Sequence, residues 1–270
     1  VYFGKKEFFM DIVAFCIGGY AVYWYGLAVS LAAILAVFAL YAAARYYGDD
    51  FGDYLNIMLL GLPLAFVLAR LFYAALKYSM YENNLREILN IEGGGLSVYG
   101  ALAAFVLVIW LYGSFRGRSV WRLLDVFAPA GILAMTVIQL GNFLFQSAVG
   151  RPVEYFRCVE YIEFAFRPRG FEGYEYFVPV ALYQSVWLFI IFLAATAYLY
   201  RTSFTKLEGS VALASLVAVL FGRSVLGFFY LSSQGEVIGR IVPLVLLLAA
   251  GAAWHLRRRQ LRARRYGFWR

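Results

Sequence analysis

"LLDVFAPAGILAMTVIQLGNFLFQSAVGRP", residues Leu123 to Pro152, is an apolar run that turns polar toward its end. A helix needs roughly 20 apolar residues to cross a hydrocarbon core about 30 Å thick, and this run supplies a span from Val126 to Val149. Yet Gln139, the Gly141-Asn142 pair and Gln146 fall inside it, ahead of Arg151 and Pro152. Lipid offers no hydrogen bonds, so polar groups at that depth need a protein partner, a cavity or a ligand. The run reads as a membrane-spanning helix beside a polar chamber.

The remaining sequence repeats the first half of that pattern. Of 270 residues, 63% are hydrophobic and 15% charged, with mean hydropathy +0.72, which excludes an ordinary soluble domain. Further spans are expected at Tyr20 to Ala44, Ile57 to Leu76, Leu96 to Tyr112, Val178 to Tyr200, Val211 to Leu231 and Val237 to Leu256. The expected fold is therefore all-α, a polytopic membrane protein with seven transmembrane helices. Residues 1–19 are expected to form an external amphipathic arm, because "VYFGKKEFFMDIVAFC" lacks the length and cleavage site of a secretory signal. Residues 20–256 form the transmembrane domain with a small external head segment at 151–176, and 257–270 form a basic cytoplasmic tail.

Lysine and arginine set the orientation. An external amino terminus places Arg45, Arg116, Arg118, Arg122, Arg201, Lys206 and the tail "RRRQLRARRYGFWR" on the cytoplasmic side, as the positive-inside bias requires. The formal charge of +8 does not imply nucleic acid, since seven arginines lie in the last fourteen residues, directly after a span. There they attract anionic headgroups and fix topology. Cys16 and Cys158 are far apart in sequence, and a disulfide or two free thiols both fit.

Charged and amide groups near the span ends carry the remaining information: Arg70, Asp125, Gln139, Asn142, Arg223 and Arg240. An arginine inside a span costs a few kcal/mol on insertion scales. Arg70, Arg223 and Arg240 either snorkel or pair with helix carbonyls, Glu92 or Glu236, or else face inward and hold a lipid phosphate through paired guanidinium donors. In "EGGGLSVYGA" (Glu92 to Ala101), the glycines make either a flexible turn or a close backbone approach to a headgroup or helix. Asn142 beside Gly141 fits helix packing with an interhelical hydrogen bond equally well.

The motifs "YAVYWYGLAVSLAAI", "ARLFY", "IEGGGLSVYGAL", "LLDVFAPAGILAMTVIQLGNFLFQSAVGRP", "VPVALYQ" and "FGRSVLGFF" follow the order and spacing of the bacterial phosphatidylglycerol:prolipoprotein diacylglyceryl transferase family. The resemblance runs from Tyr23 to about Gly251. It implies seven spans, an outside amino terminus, an external head, and a location in the bacterial inner membrane. It also implies transfer of diacylglyceryl from phosphatidylglycerol to a lipobox cysteine thiol, with glycerol phosphate released. Tyr25, Arg70, Asp125, Pro129, Asn142, Gly150, Tyr183 and Arg223 stand where the family has the same residue.

The departures fall on the reactive positions. The "HGG" motif reads Tyr99-Gly100-Ala101, the arginine before "GN" is Gln139, and the asparagine and glutamate after it are Phe145 and Ser147. The histidine and glutamate of "HPxQLYE" are Val178 and Gln184; in "RxxxExxR" only Arg223 remains, with Gly227 and Tyr230 in the other places. His255, the single histidine, lies near the cytoplasmic end.

The sequence thus gives a headgroup-binding set of Tyr25, Arg70, Gln139, Asn142, Tyr183, Arg223 and Arg240, with Tyr99 as the catalytic residue if the chain is active. No metal or cofactor is expected. The favoured reading is a catalytically silent relative that binds a phosphatidylglycerol-like phospholipid or a lipoprotein as an accessory subunit of a membrane assembly. The alternative is a divergent transferase using Tyr99. An aromatic content of 20% is compatible with burial among other subunits, whereas a transporter lacks repeat symmetry to support it.

Overall fold

Leucine- and alanine-rich runs, stopped by glycine, build the helices. The computed structural model describes residues 13–18, 20–76, 78, 81, 88, 95–144, 149–153, 160–161, 170–201, 209–231 and 237–265. A hairpin of β1 (Val13–Ile17) and β2 (Tyr20–Tyr23) leads into α1 (Trp24–Tyr47), α2 (Phe51–Leu76), α3 (Val98–Arg116) and α4 (Val120–Leu144). Two short strands, β3 (Glu160–Tyr161) and β4 (Tyr176–Phe177), precede α5 (Val180–Arg201), α6 (Ser210–Gly227) and α7 (Val237–Arg265). Gly48 and Gly117 end α1 and α3 at φ 65° and 64°, donating to Ala44 O and Gly113 O, as left-handed glycine caps do.

The helices α1 to α6 are long and apolar enough to cross a membrane, and α7 contains a shorter apolar stretch, Val242–Leu256. The chain is a polytopic, helical membrane protein. Phe38 and Leu248 project outward with 65% and 75% exposure, which in a bilayer is contact with acyl chains rather than water.

Small residues let the helices approach. Ala36, Ala43 and Ala44 of α1 meet Tyr54, Ile57 and Met58 of α2, Val108 and Ile109 of α3, and Val126 and Ala130 of α4 in the largest core. Close packing with small side chains is how membrane helices associate, because lipid tails are as apolar as leucine. The helix α4 is central and packs extensively on both α1 and α5, while α2 pairs with α3 and α6 with α7. Gly100 shows how close the second pair comes: a Cβ there would press into the Leu68 carbonyl and lie 2.8 Å from Ala69 Cα.

One end of the bundle is ionic. Arg122 meets Asp49 at 2.6 Å and Arg118 meets Asp53 at 2.8 Å, while Tyr112 donates to Asp53 at 2.7 Å and Tyr54 to Asp49 at 2.7 Å. These pairs tie the α1–α2 turn to the α3–α4 turn. The Asp125 carboxylate, 0% exposed, accepts from Gly209 N at 2.6 Å and Ala212 N at 2.8 Å. It therefore caps α6 from another helix and satisfies donors that every helix start leaves open. Tyr46 and Tyr47 donate to Tyr200 O and Leu199 O at the same end.

The element bounds differ from the expected spans in informative ways. Tyr20 to Tyr23, expected as the start of the first span, is strand β2, paired antiparallel with β1. Gly18, at φ 57°, follows β1, and the Gly-Gly sequence at 18 and 19 is the composition that favours a hairpin. The fourth helix starts at Val120 rather than Val126, so Asp125 sits within its second turn. Of the expected head segment, residues 154–159 and 162–169 lie outside the described residues, as do Cys158, Glu92, Glu236 and most of the arm at 1–12. In the described part, Gly150 bridges Tyr230, Pro152 bridges Phe177, and β3 pairs with β4. Val178 N also donates to Arg151 O at 3.0 Å, and Arg151 N to Phe229 O at 2.9 Å. The stretch around Gly150 is thus sandwiched between the exit of α6 and the entrance of α5.

Candidate functional site

The end opposite the ion pairs gathers the residues singled out in the sequence. There α1, α3 and α5 begin and α2, α4 and α6 finish, so Tyr25, Arg70, Tyr99, Gln139, Asn142, Tyr183 and Arg223 all fall within about two turns of one end. Asp125, grouped with them by family resemblance, does not join them. It is fourteen positions before Gln139 on α4, about 21 Å along the helix, and its carboxylate is occupied at the ionic end.

Arg223 of α6 reaches α3. Its Nε donates to the Tyr99 hydroxyl oxygen at 3.2 Å, and its guanidinium carbon lies 5.8 Å from the Tyr99 ring centroid. The phenol thus orients the cation both through its lone pair and through the ring face. Among the described residues, nothing accepts from the two terminal nitrogens of Arg223. Those donors form the fork that suits a phosphate or carboxylate.

Arg70 of α2 is placed differently. It is 7% exposed, its Nε donates to Ile88 O at 2.8 Å, its Nη1 donates to Gly95 O at 3.1 Å, and its guanidinium lies 5.6 Å from the Tyr81 ring centroid and 5.9 Å from that of Tyr73. Carbonyls from the α2–α3 connection thus satisfy a charge that would be costly alone. Gly95 permits this at φ +85°, with the Tyr73 ring where a side chain would stand. Nearby, Ser97 N donates to Ala69 O at 2.9 Å. Arg70 therefore pins the connection that leads to Tyr99.

Two neutral pairs complete this end. Asn142 Nδ2 donates to Gln139 Oε1 at 2.6 Å within α4. Tyr230 donates to Gln184 Oε1 at 2.9 Å, and Gln184 is 2% exposed. Neither Gln184 nor Tyr230 was in the headgroup-binding set read from the sequence. Their only signal there was that both stand at positions where the resembling family carries charge. The outer halves of the described helices at this end contain no Asp, Glu or His. Tyr25 and Tyr183 stand in the first turns of α1 and α5, both partly exposed; Arg240 is in the first turn of α7, and its side chain lies outside the described residues. Among the described residues, no three His, Cys, Asp or Glu side chains come together as metal ligands would.

Gly150 closes the floor of this end. A Cβ on it would press into the Val178 carbonyl and lie 2.8 Å from Val180 Cγ2, so only glycine lets the α6 exit, with Tyr230, lie over the start of α5, with Gln184.

The family model described as Prolipoprotein diacylglyceryl transferase matches residues 12–256. The chain is 32% identical over 254 residues to the phosphatidylglycerol–prolipoprotein diacylglyceryl transferase of Streptococcus uberis, covering 93% of this chain and 96% of that one. It is 31% identical over 214 residues to the protein of the same name from Clostridium botulinum strain Langeland, covering 79% and 83%. Against that of Pediococcus pentosaceus it is 28% identical over 264 residues, covering 94% and 93%. The bacterial relatives and the apolar helices make it a multi-pass protein of the bacterial inner membrane. The chain belongs to the prolipoprotein diacylglyceryl transferase family.

Proposed function

We propose that this protein binds a phosphatidylglycerol-like phospholipid at the Arg223 end of the bundle, and that it has lost the proton-handling groups needed to transfer diacylglyceryl to a thiol. In that reading it serves lipoprotein biogenesis as a binding or accessory subunit. The chain crosses the membrane seven times, α7 included, with the Arg223 end external and the arginine-rich end cytoplasmic.

The observation that carries the proposal is the pairing at positions 184 and 230. By resemblance these positions hold a glutamate and an arginine in the family; here Gln184 and Tyr230 hydrogen-bond to each other at 2.9 Å. Losing a buried carboxylate together with its cation leaves no orphan charge, whereas losing either alone would be costly. Gln139, bonded to Asn142 at 2.6 Å, supports the same reading at the position of another family arginine. A thiol acceptor needs a base to take its proton, and the helix ends that would surround it carry neither carboxylate nor imidazole. Arg223, whose two terminal nitrogens have no acceptor among the described residues, keeps what phosphate binding needs.

A second reading has its own observation. The Tyr99 hydroxyl stands beside a guanidinium at 3.2 Å, so it could act as the base of a divergent transferase like those named among the relatives.

The test is to incubate purified protein with labelled phosphatidylglycerol and a lipobox peptide, and to measure both thioether product and retained lipid. The proposal expects no product above a protein-free control, and retained phospholipid that falls at least about tenfold in Arg223→Ala, the loss of a charge-assisted hydrogen-bond pair. Product that disappears in Tyr99→Phe would establish the second reading instead. Lipid retention unchanged in Arg223→Ala would remove the binding site.

A further inference from the structure

The β1–β2 hairpin has a composition unlike that of a water-exposed element. From Val13 to Trp24 it carries no charged residue. Its pairing sets Phe15 opposite Val22, Cys16 opposite Ala21, and Ile17 opposite Tyr20. Directly opposed residues share a face and neighbours along a strand alternate, so Phe15, Ile17, Tyr20 and Val22 form one face and Cys16 lies on the other. Phe15 is 47% exposed, Ile17 65% and Tyr20 82%, so the turn end of that face stands clear of the bundle, while Val22, nearer α1, is half-buried.

An isolated two-stranded hairpin is at best marginally stable in water, and bare apolar side chains add no stability there. The occupant that fits is lipid. Tyr23 ends β2 and immediately precedes Trp24, the first residue of α1, so no linker separates the hairpin from a helix whose outer surface already faces acyl chains. Tyr20, Tyr23, Trp24 and Tyr25 cluster at this junction, and Tyr and Trp concentrate at the depth where headgroups meet hydrocarbon. Unpaired strand-edge groups also need the hydrogen bonds that the interface, unlike the bilayer centre, provides.

We propose that the β1–β2 hairpin lies in the plane of the membrane interface at the amino-terminal end of α1, with its Phe15–Ile17–Tyr20–Val22 face in lipid and Cys16 turned toward the headgroups and water. The partner is the bilayer itself, held by the apolar side chains of residues 13–24, a stretch without a basic residue. This does not depend on whether the Arg223 end binds phospholipid, and it holds for either orientation of the chain.

Single-cysteine proteins in nanodiscs of phosphatidylcholine and phosphatidylglycerol test it. Cys158→Ser leaves Cys16 as reporter; adding Cys16→Ser with Ile17→Cys or Tyr20→Cys moves the reporter to the opposite face. Each is labelled with an environment-sensitive fluorophore and quenched by shallow doxyl lipids or by aqueous iodide. For an interfacial element with one apolar face, doxyl quenching should be at least about twofold stronger at positions 17 and 20 than at 16, with iodide quenching in the reverse order. Equal quenching at 16 and 17, or dominant iodide quenching at 17 and 20, would overturn the proposal. Protection of 17 and 20 from both quenchers would overturn it too, since a protein partner or a second copy would then cover the face. Helical circular dichroism and a single elution peak check that each labelled protein is folded.

Discussion

Replacing Asp125 with alanine is expected to destabilise the protein by about 3–5 kcal/mol, because one buried and one part-buried backbone donor lose a charged acceptor together and each orphaned donor costs about 1–3 kcal/mol. The carboxylate is 0% exposed and spans from α4 to the first turn of α6 through Gly209 N and Ala212 N. No water reaches it to replace those bonds, and the positive end of the α6 dipole loses its counter-charge as well. Asp125→Asn keeps one acceptor oxygen but turns an amide N–H toward the other donor, so about half the loss is expected. Thermal unfolding in detergent, followed by helical circular dichroism, would show it. A midpoint for Asp125→Ala within the error of the parent protein would show that the cap is dispensable. Lipid retained by the folded fraction should not change, because Asp125 lies at the other end of α4 from Gln139.

The second large effect is expected at Gly100. An alanine Cβ there would meet the Leu68 carbonyl and Ala69 Cα, both backbone atoms that no side-chain rotation can move aside. The helices α2 and α3 must separate, at a cost of about 2–4 kcal/mol for overpacking. Gly131 is the control: it lies inside α4 with nothing within 4 Å of its would-be Cβ, so Gly131→Ala should be neutral or stabilising by up to about 1 kcal/mol. Gly100 adjoins Tyr99, so separating the helices also withdraws the phenol from Arg223, and phospholipid retention should fall along with stability in Gly100→Ala alone. Equal midpoints for the two alanine variants would mean that α2 and α3 are not packed as closely as described.

The two effects mark the boundary between what was legible and what was not. Long apolar runs with charged ends announce helices at membrane length because hydrophobicity summed over about 20 residues is insensitive to detail; α3, α5 and α6 accordingly lie close to where they were expected, whereas α2 starts at Phe51, ahead of the expected Ile57. Tyr20 to Tyr23 are four apolar residues that fit a helix or a strand equally well, and pairing with β1 decided between them. The placement of Arg70 was also open. A guanidinium near a span end can snorkel, hold a headgroup or take carbonyls, and only the fold brought Ile88 O and Gly95 O to it.

By itself the sequence determined that this is a helical membrane protein, where most of its helices run, and which polar residues needed explaining, since burial of apolar length is a local property of the chain. Tertiary structure alone decided which of those residues meet. Asp125 went to the start of α6, Arg223 to Tyr99, and Gln184 to Tyr230, each across 46 or more positions. A hydrogen bond depends on a few ångströms and an angle between groups, and no periodicity within a single helix encodes the distance to another.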